Sequence, residues 1–334
     1  MKKENLPGWI LMLGVGVLSI FLSKLIVIGG KNPIEAAVIA ILVGILIRNT
    51  GMLPSLFLPG IKAFEKILIL GIVLIGASLN FKTIGSQGAN MLIIILVTMA
   101  VSFFVIYFLG RLFKLPFGLA VLLSVGTTIC GGSAIAVTAP LIKAKEEETS
   151  YAIGTIALWG FVAILLYPKI AQMLSVTDMN FGVFAGTAIH STPQVVGAGF
   201  IFSDLAGKTA TAVKLVRNCF MVPVAFLIAV WYANTITRSQ KEKGTSMNVA
   251  KAFPWFLFGY FLLAGLNTQG YFSAEGIQAF NTAGRFLILL GLAGIGLNTV
   301  FSSFKKVGLK PLFIGFIGAL FVAGCSILMI HLLL

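Results

Sequence analysis

Apolar residues run along this chain in long blocks separated by short polar breaks, and most blocks have the length that crosses a bilayer. A hydrocarbon core of ~30 Å needs about 20 predominantly apolar residues in helical form. Nine blocks fit spanning helices, over residues 8–28, 33–47, 61–79, 90–109, 151–173, 210–233, 252–266, 282–297 and 311–333. The first follows Lys2 and Lys3 as a secretory leader would, but it is long and lacks a small-x-small cleavage site, so a retained helix is expected. Pro33 and Pro311 stand where a helix opens and a missing N–H is harmless.

Two blocks, 117–143 and 181–202, break this pattern. The first carries Gly126-Thr127-Thr128-Ile129-Cys130-Gly131-Gly132-Ser133-Ala134 at its centre, and the second carries Gly186-Thr187-Ala188-Ile189-His190-Ser191-Thr192-Pro193-Gln194. Irregular backbone at membrane depth survives only where it lines a protein-enclosed or watery cavity, because unpaired backbone groups in lipid cost several kcal/mol. Each block is either a discontinuous helix or a re-entrant hairpin, and the two breaks together predict one site. The expected fold is therefore all-α: a polytopic membrane protein of about nine spanning helices plus two interrupted segments. It is read as a single membrane domain over 1–334, with a core around 117–235 and a scaffold of the remaining helices.

Internal similarity adds to this picture. A shift of 60 residues superposes Gly126, Thr127, Ile129, Thr149 and Ala152 on Gly186, Thr187, Ile189, Thr209 and Ala212. A shift of 218 superposes Leu74, Gly76, Leu79 and Asn80 on Leu292, Gly294, Leu297 and Asn298. If the interrupted segments are hairpins entering from opposite faces, both matches describe an inverted-repeat transporter fold whose second repeat is circularly permuted. Asn80 and Asn298 then read as helix caps.

Composition agrees with the membrane class, at 58% hydrophobic and 10% charged residues, with a mean hydropathy of +1.04. The net charge of +14 would suggest nucleic acid in a soluble protein. Here it follows from the loops: with hairpins, one face collects sixteen Lys and Arg residues and the other seven, Lys24 inside the first helix aside. That asymmetry predicts a cytoplasmic N-terminus. Cys130, Cys219 and Cys325 have no paired spacing, so neither a disulfide framework nor a metal site is expected, and no cofactor is implied.

The chemistry expected at the breaks is anion binding. Thr127, Thr128, Gly131, Gly132 and Ser133 offer hydroxyls and bare backbone N–H groups, with Ser133 placed to cap the arm that follows. Ser191 and Thr192 can cap the second arm, Pro193 suits its first turn, and Gln194 lies in that turn. Two helix N-termini, each with unpaired donors and about half a positive charge, make an anion site when they meet. His190 is the one histidine deep in an apolar block and can donate to an oxyanion; its ordinary pKa of about 6.5 suits coupling to pH, although a lone histidine is as readily structural. Cys130 aligns with His190 under the shift of 60 residues and can line the same cavity.

Lys214, Arg217 and Asn218, at spacing i, i+3, i+4, share a helix face and read as the cationic entrance of an anion path. Snorkelling of Lys214 to lipid headgroups is the competing account. Every Asp and Glu falls in a tail, a loop or a helix edge, which disfavours cation transport. The run from Lys143 to Glu148 reads as a solvated connector.

Cys-Gly-Gly-Ser-Ala-Ile-Ala at 130–136, the Lys-Glu-Glu stretch after it, Ala-Ile-His at 188–190, Gln-Val-Val at 194–196 and Val-Lys-Leu-Val-Arg-Asn at 213–218 resemble the YeiH-type family of bacterial inner-membrane proteins, described as sulfate exporters. Relatives tend to follow the histidine with an acidic residue and Ala-Gln, where this chain has Ser191-Thr192-Pro193-Gln194. More distantly, the pattern is similar to the bile-acid symporter and sodium/proton antiporter group. The resemblance implies a secondary transporter in the inner membrane, not an enzyme, that carries a small inorganic anion such as sulfate or sulfite. Coupling to a proton or to sodium is left open, and a homodimer is what such scaffolds usually form. The alternatives are a carrier of small organic carboxylates or sulfonates, an anion channel, and a membrane-embedded enzyme using Cys130 and His190.

Overall fold

Helices account for the regular structure throughout the described residues of the computed structural model, which are 3–25, 36–51, 53–81, 88–236, 256–304 and 308–334. Pro33 and the polar loop 237–251 lie outside them. Among the described residues six helices are long and apolar enough to cross a membrane, against the nine expected: Leu6–Leu25, Gly88–Leu112, Glu146–Met173, Asp204–Tyr232, Ala274–Asn298 and Leu309–Leu333. The chain divides into two compact units.

The first unit comprises Met1–Ser86, Phe200–Lys208 and Trp255–Ser302. It holds α1 (Leu6–Leu25), α2 (Ala36–Asn49), the short α3 (Leu58–Lys62) and α4 (Phe64–Gly76). The block expected as one helix over 61–79 starts three residues early, because Pro59 suits a first turn, and it breaks at Ala63. Small residues let the helices approach closely, the usual device of membrane bundles. Against α14 (Ala274–Asn298), a Cβ on Gly71 of α4 would sit 2.8 Å from Gly284 O, and one on Gly291 would sit 2.7 Å from Leu68. Contacts that climb α4 while descending α14 make the two antiparallel.

Two matching caps close this unit. After α4, Asn267 Nδ2 on α13 (Phe256–Thr268) donates to Leu79 O at 3.1 Å, and Phe81 N donates to Thr268 Oγ1 at 3.0 Å. After α14, Asn49 Nδ2 on α2 donates to Thr299 O at 3.0 Å, and Phe301 N donates to Asn49 Oδ1 at 2.9 Å. Asn49 and Asn267, which the sequence did not single out, thus act as caps here.

The second unit comprises Gln87–Gly199, Thr209–Pro254 and Ser303–Leu334. Its elements are α5 (Gly88–Leu112), α6 (Phe117–Thr128), α7 (Gly132–Leu141), α8 (Glu146–Met173), α9 (Asp178–Ala188) and most of α10 (Thr192–Phe202) and α11 (Asp204–Cys219). With them pack α12 (Met221–Ile236) and α16 (Leu309–Leu333); the short α15 (Phe301–Phe304) precedes the latter. The block expected as one helix over 210–233 turns at Phe220, since Pro223 cannot continue the ladder of α11. Of the run expected as a connector, Lys143 to Lys145 join α7 to α8, while Glu146, Glu147 and Glu148 form the first turn of α8, where negative charge suits the dipole, and Glu148 Oε2 accepts from Lys145 N at 3.0 Å.

Both interrupted segments are helical hairpins. A Cβ on Gly118 near the start of α6 would sit 3.4 Å from Ala144 Cβ beyond the end of α7, and one on Gly126 would sit 2.7 Å from Ile135 Cδ1. A helix that broke and carried on would hold these pairs far apart. In the second segment Thr209 Oγ1 donates to Met179 Sδ at 3.8 Å, and a Cβ on Gly186 would meet Val213 Cβ at 2.6 Å. So α9 and α11 run side by side in one direction, and the chain between them returns to its starting level. Because α8 is 28 residues long, about 42 Å, the hairpins enter from opposite ends of the unit.

Candidate functional site

The hairpin tips meet. Gly131 holds φ +69°, open without strain only to glycine, and a Cβ there would lie 3.1 Å from Ser191 Cβ. On one side of this contact two helices end, and on the other two begin.

The ending helices point their carbonyls at two cations. Lys214 is fully buried, and its Nζ donates to Ile129 O at 2.7 Å, to Ile189 O at 3.1 Å and to His190 O. Three acceptors match the three donors of an ammonium. Arg217, also buried, donates from Nε to Thr128 O at 2.5 Å, from Nη2 to Thr127 O at 2.7 Å, and from Nη1 to the carbonyls of Gly186, Thr187 and Ile189. Each side chain therefore ties one tip to the other. Lys214 does not snorkel: its amine ends on carbonyls inside the unit, and neither cation stands at an open entrance. The carbonyl end of a helix carries about half a negative charge, which is why cations settle there.

No carboxylate joins them among the described residues. The ion pairs found there are those of Asp204 with Lys208 at 2.9 Å and with Arg285 at 3.3 Å. Two buried positive charges against roughly one negative charge from two helix ends leave a positive remainder.

The beginning helices offer the donors. Ile135 N is the first amide of α7 to find a backbone acceptor behind it, Gly131 O at 3.2 Å, and the Ala134 amide faces the Cys130 thiol, so the amides of Gly132 and Ser133 are its orphan donors. In α10 that position belongs to Val195 N on Ser191 O at 3.0 Å, leaving the amides of Thr192 and Gln194, since Pro193 has none. Ser133 is exposed and Gly132, Ser191 and Thr192 are half-buried, whereas Thr127, Thr128, Cys130, Gly131, His190, Gln194, Lys214, Arg217 and Asn218 are buried. Helix starts are thus accessible where helix ends are sealed.

Several side chains differ from expectation. Ser133 is not a cap: α7 begins one residue earlier, with Gly131 in the cap position and no side-chain cap bond. The hydroxyls of Thr127 and Thr128 donate to Leu123 O and Ser124 O of their own helix. Cys130 Sγ donates to Met221 Sδ at 3.4 Å. Gln194 is a brace, with Oε1 accepting from Ser191 N and Nε2 donating to Ala157 O, each at 3.3 Å, pressed on Gly160. Asn218 Nδ2 donates to Thr192 Oγ1 at 3.0 Å. Neither ring nitrogen of the buried His190 closes a hydrogen bond. No group of three metal-ligating side chains is found among the described residues.

Sequence reasoning missed Gly160, Ala157 and Ser326, whose hydroxyl lies 2.6 Å from Thr187 Oγ1 and ties the second hairpin to α16. Thr187 itself carried a signal, as the match of Thr127.

Comparison with known proteins places the whole arrangement in a family. Residues 7–315 match the family described as conserved hypothetical protein 698. This chain is 33% identical over 98% of its length to a UPF0324 membrane protein of Clostridium tetani, covering 96% of that protein. The chain belongs to the UPF0324 membrane protein family. A Streptococcus agalactiae member is 34% identical, over 94% of this chain and 93% of its own, and one from Oceanobacillus iheyensis is 31% identical over 89% and 87%. The match of UPF0324 members extends over both hairpins and both units, so the relatives align with the site as well as with the helices around it.

Proposed function

We propose that this UPF0324 protein is a secondary transporter of a small inorganic anion, bound between the starts of α7 and α10. The observation that carries this reading is the pair of buried cations, Lys214 and Arg217, bonded to carbonyls of both hairpins and to no carboxylate. They neutralise the negative helix ends and leave a positive surplus beside the two electropositive starts. Gly132 and Ser133 of the first hairpin and Ser191 and Thr192 of the second are the accessible ligands, supplying amides and hydroxyls.

The hairpins are re-entrant, and the fold is a circularly permuted inverted repeat. The antiparallel pair α4 and α14 and their matched caps from Asn267 and Asn49 support this, as does the packing of α5 on α6 and of α16 on α9. The unit holding both hairpins alternates its access against the other helices as scaffold. The excess of cationic residues on one side puts the N-terminus in the cytoplasm of an inner-membrane protein. Burial of the Cys130 thiol against Met221 speaks against a nucleophile there and so against an enzyme.

The test is a thermal-stability screen of purified protein against sulfate, sulfite, thiosulfate, small carboxylates and sodium. Stabilisation by sulfur oxyanions is expected, because their oxygens suit convergent amide donors. Stabilisation by sodium alone would refute the substrate class.

A further inference from the structure

We infer that His190 is the proton-binding group that couples this transporter to a proton, taking one up as an anion binds. The inference rests on the anion-transport reading and adds the coupling ion to it.

His190 stands at the tip of the second hairpin with its imidazole 1% exposed. Neither Nδ1 nor Nε2 has a hydrogen-bond partner. A buried polar side chain is normally paired, so two unpaired nitrogens on one ring need an explanation. The His190 carbonyl accepts from Lys214 Nζ, which holds this residue against the cation.

The charged groups acting on the ring are Arg217 and Lys214 of α11, and the Thr127 backbone of α6 is the polar group beside it. From the first hairpin the titratable neighbour of the same two cations is the Cys130 thiol, which donates to Met221. No Asp or Glu lies in α6, α7 or α10, nor in the Lys214–Asn218 turn, and the one in α9, Asp178, opens that helix at its far end from the tip. A third positive charge beside two others is unfavourable while the site is empty. A bound anion reverses the balance. It supplies the negative charge that a proton on the ring requires, and the imidazolium, which has two N–H groups, keeps one to give it besides the one that faces the Thr127 backbone. Binding of anion and of proton thus favour each other, and linkage makes the effect reciprocal. The proton comes from water and rests on the ring, and no bond to the anion forms or breaks.

Lys214 does not take this part, because its three donors already have three carbonyl acceptors. Cys130 is separated from it by a conservative change: Cys130→Ser removes the thiol's titration and leaves a hydroxyl of similar size.

The test is calorimetric titration of the full-length protein with sulfate near pH 6, in two buffers of different ionisation enthalpy. Sulfate is fully ionised there, so a proton taken up goes to the protein. The wild type and Cys130→Ser are expected to take up close to one proton per sulfate. His190→Gln, with His190→Asn as a second variant, is expected to bind roughly tenfold more weakly and to take up none. Sulfate binding by the wild type without proton uptake, or uptake that persists in both variants, would overturn the assignment of His190 and leave the anion site standing. Failure of the wild type to bind sulfate, sulfite or thiosulfate at any pH would overturn the transport reading, and this one with it.

Discussion

Gly131 and Ser191 touch at the point where the two hairpins meet: a Cβ on the glycine would sit 3.1 Å from the Cβ of the serine, on a backbone with φ +69°. Gly132, the next residue, faces the opposite condition, with nothing within 4 Å of where its Cβ would be. Gly131→Ala should therefore destabilise the protein by about 1–3 kcal/mol through strain and contact, while Gly132→Ala should leave the melting temperature near that of the wild type. Thermal unfolding in detergent, run on the pair, checks this. Equal effects would mean that the tips are not in contact.

Arg217 bridges five carbonyls across the two tips. Arg217→Leu strands them in a buried place and should cost about 3–5 kcal/mol, seen as loss of monodisperse protein. Arg217→Lys should recover only part, because an ammonium lacks the planar fork that serves both hairpins. Full stability of Arg217→Leu would exclude the bridging role.

Gln194 presses on Gly160 and spans from Ser191 N to Ala157 O. Gly160→Val would push the amide away, since the glycine leaves no room for a Cβ. The expected loss is about 1–3 kcal/mol, accompanied by weaker anion binding because the start of α10 loses its brace. Melting curves with and without sulfate separate the two effects.

Asn49 and Asn267 do the same work at the ends of different helices. If they are repeat-related, Asn49→Ala and Asn267→Ala should each cost about 1 kcal/mol, and the double variant the sum of the two, because the two side chains share no hydrogen-bond partner among the described residues. Strongly unequal losses in thermal unfolding would count against the permuted repeat.

How much of this was readable in the sequence depends on which force acts. The breaks at Gly131 and Ser191 were legible because small and polar residues interrupt an apolar run, and the shift of 60 residues paired them. Their hairpin form was not, since hydropathy is blind to whether a chain turns back or carries on. Helix starts failed locally: a positive-φ Gly131 caps α7 in place of the hydroxyl of Ser133, and the dipole drew Glu146 to Glu148 into α8. The largest miss was Lys214. Spacing gave its helix face, but whether a long side chain reaches headgroups or buried carbonyls is decided by what lies across from it, and those carbonyls come from residues 24 to 85 positions away. The same holds for the brace from Gln194, which bonds to the backbone carbonyl of Ala157 and presses on Gly160, positions with no polar side chain to announce it.

The claim that opposed helix starts hold an anion is met most directly by titrating sulfate into Gly132→Leu. The position has open space around its Cβ, so the variant should fold like the wild type while its side chain fills the approach to the amides of α7. Binding by the wild type and by Cys130→Ser, and none by a Gly132→Leu protein of unchanged melting temperature, is the predicted result. A Gly132→Leu protein that binds sulfate as tightly as the wild type would contradict it.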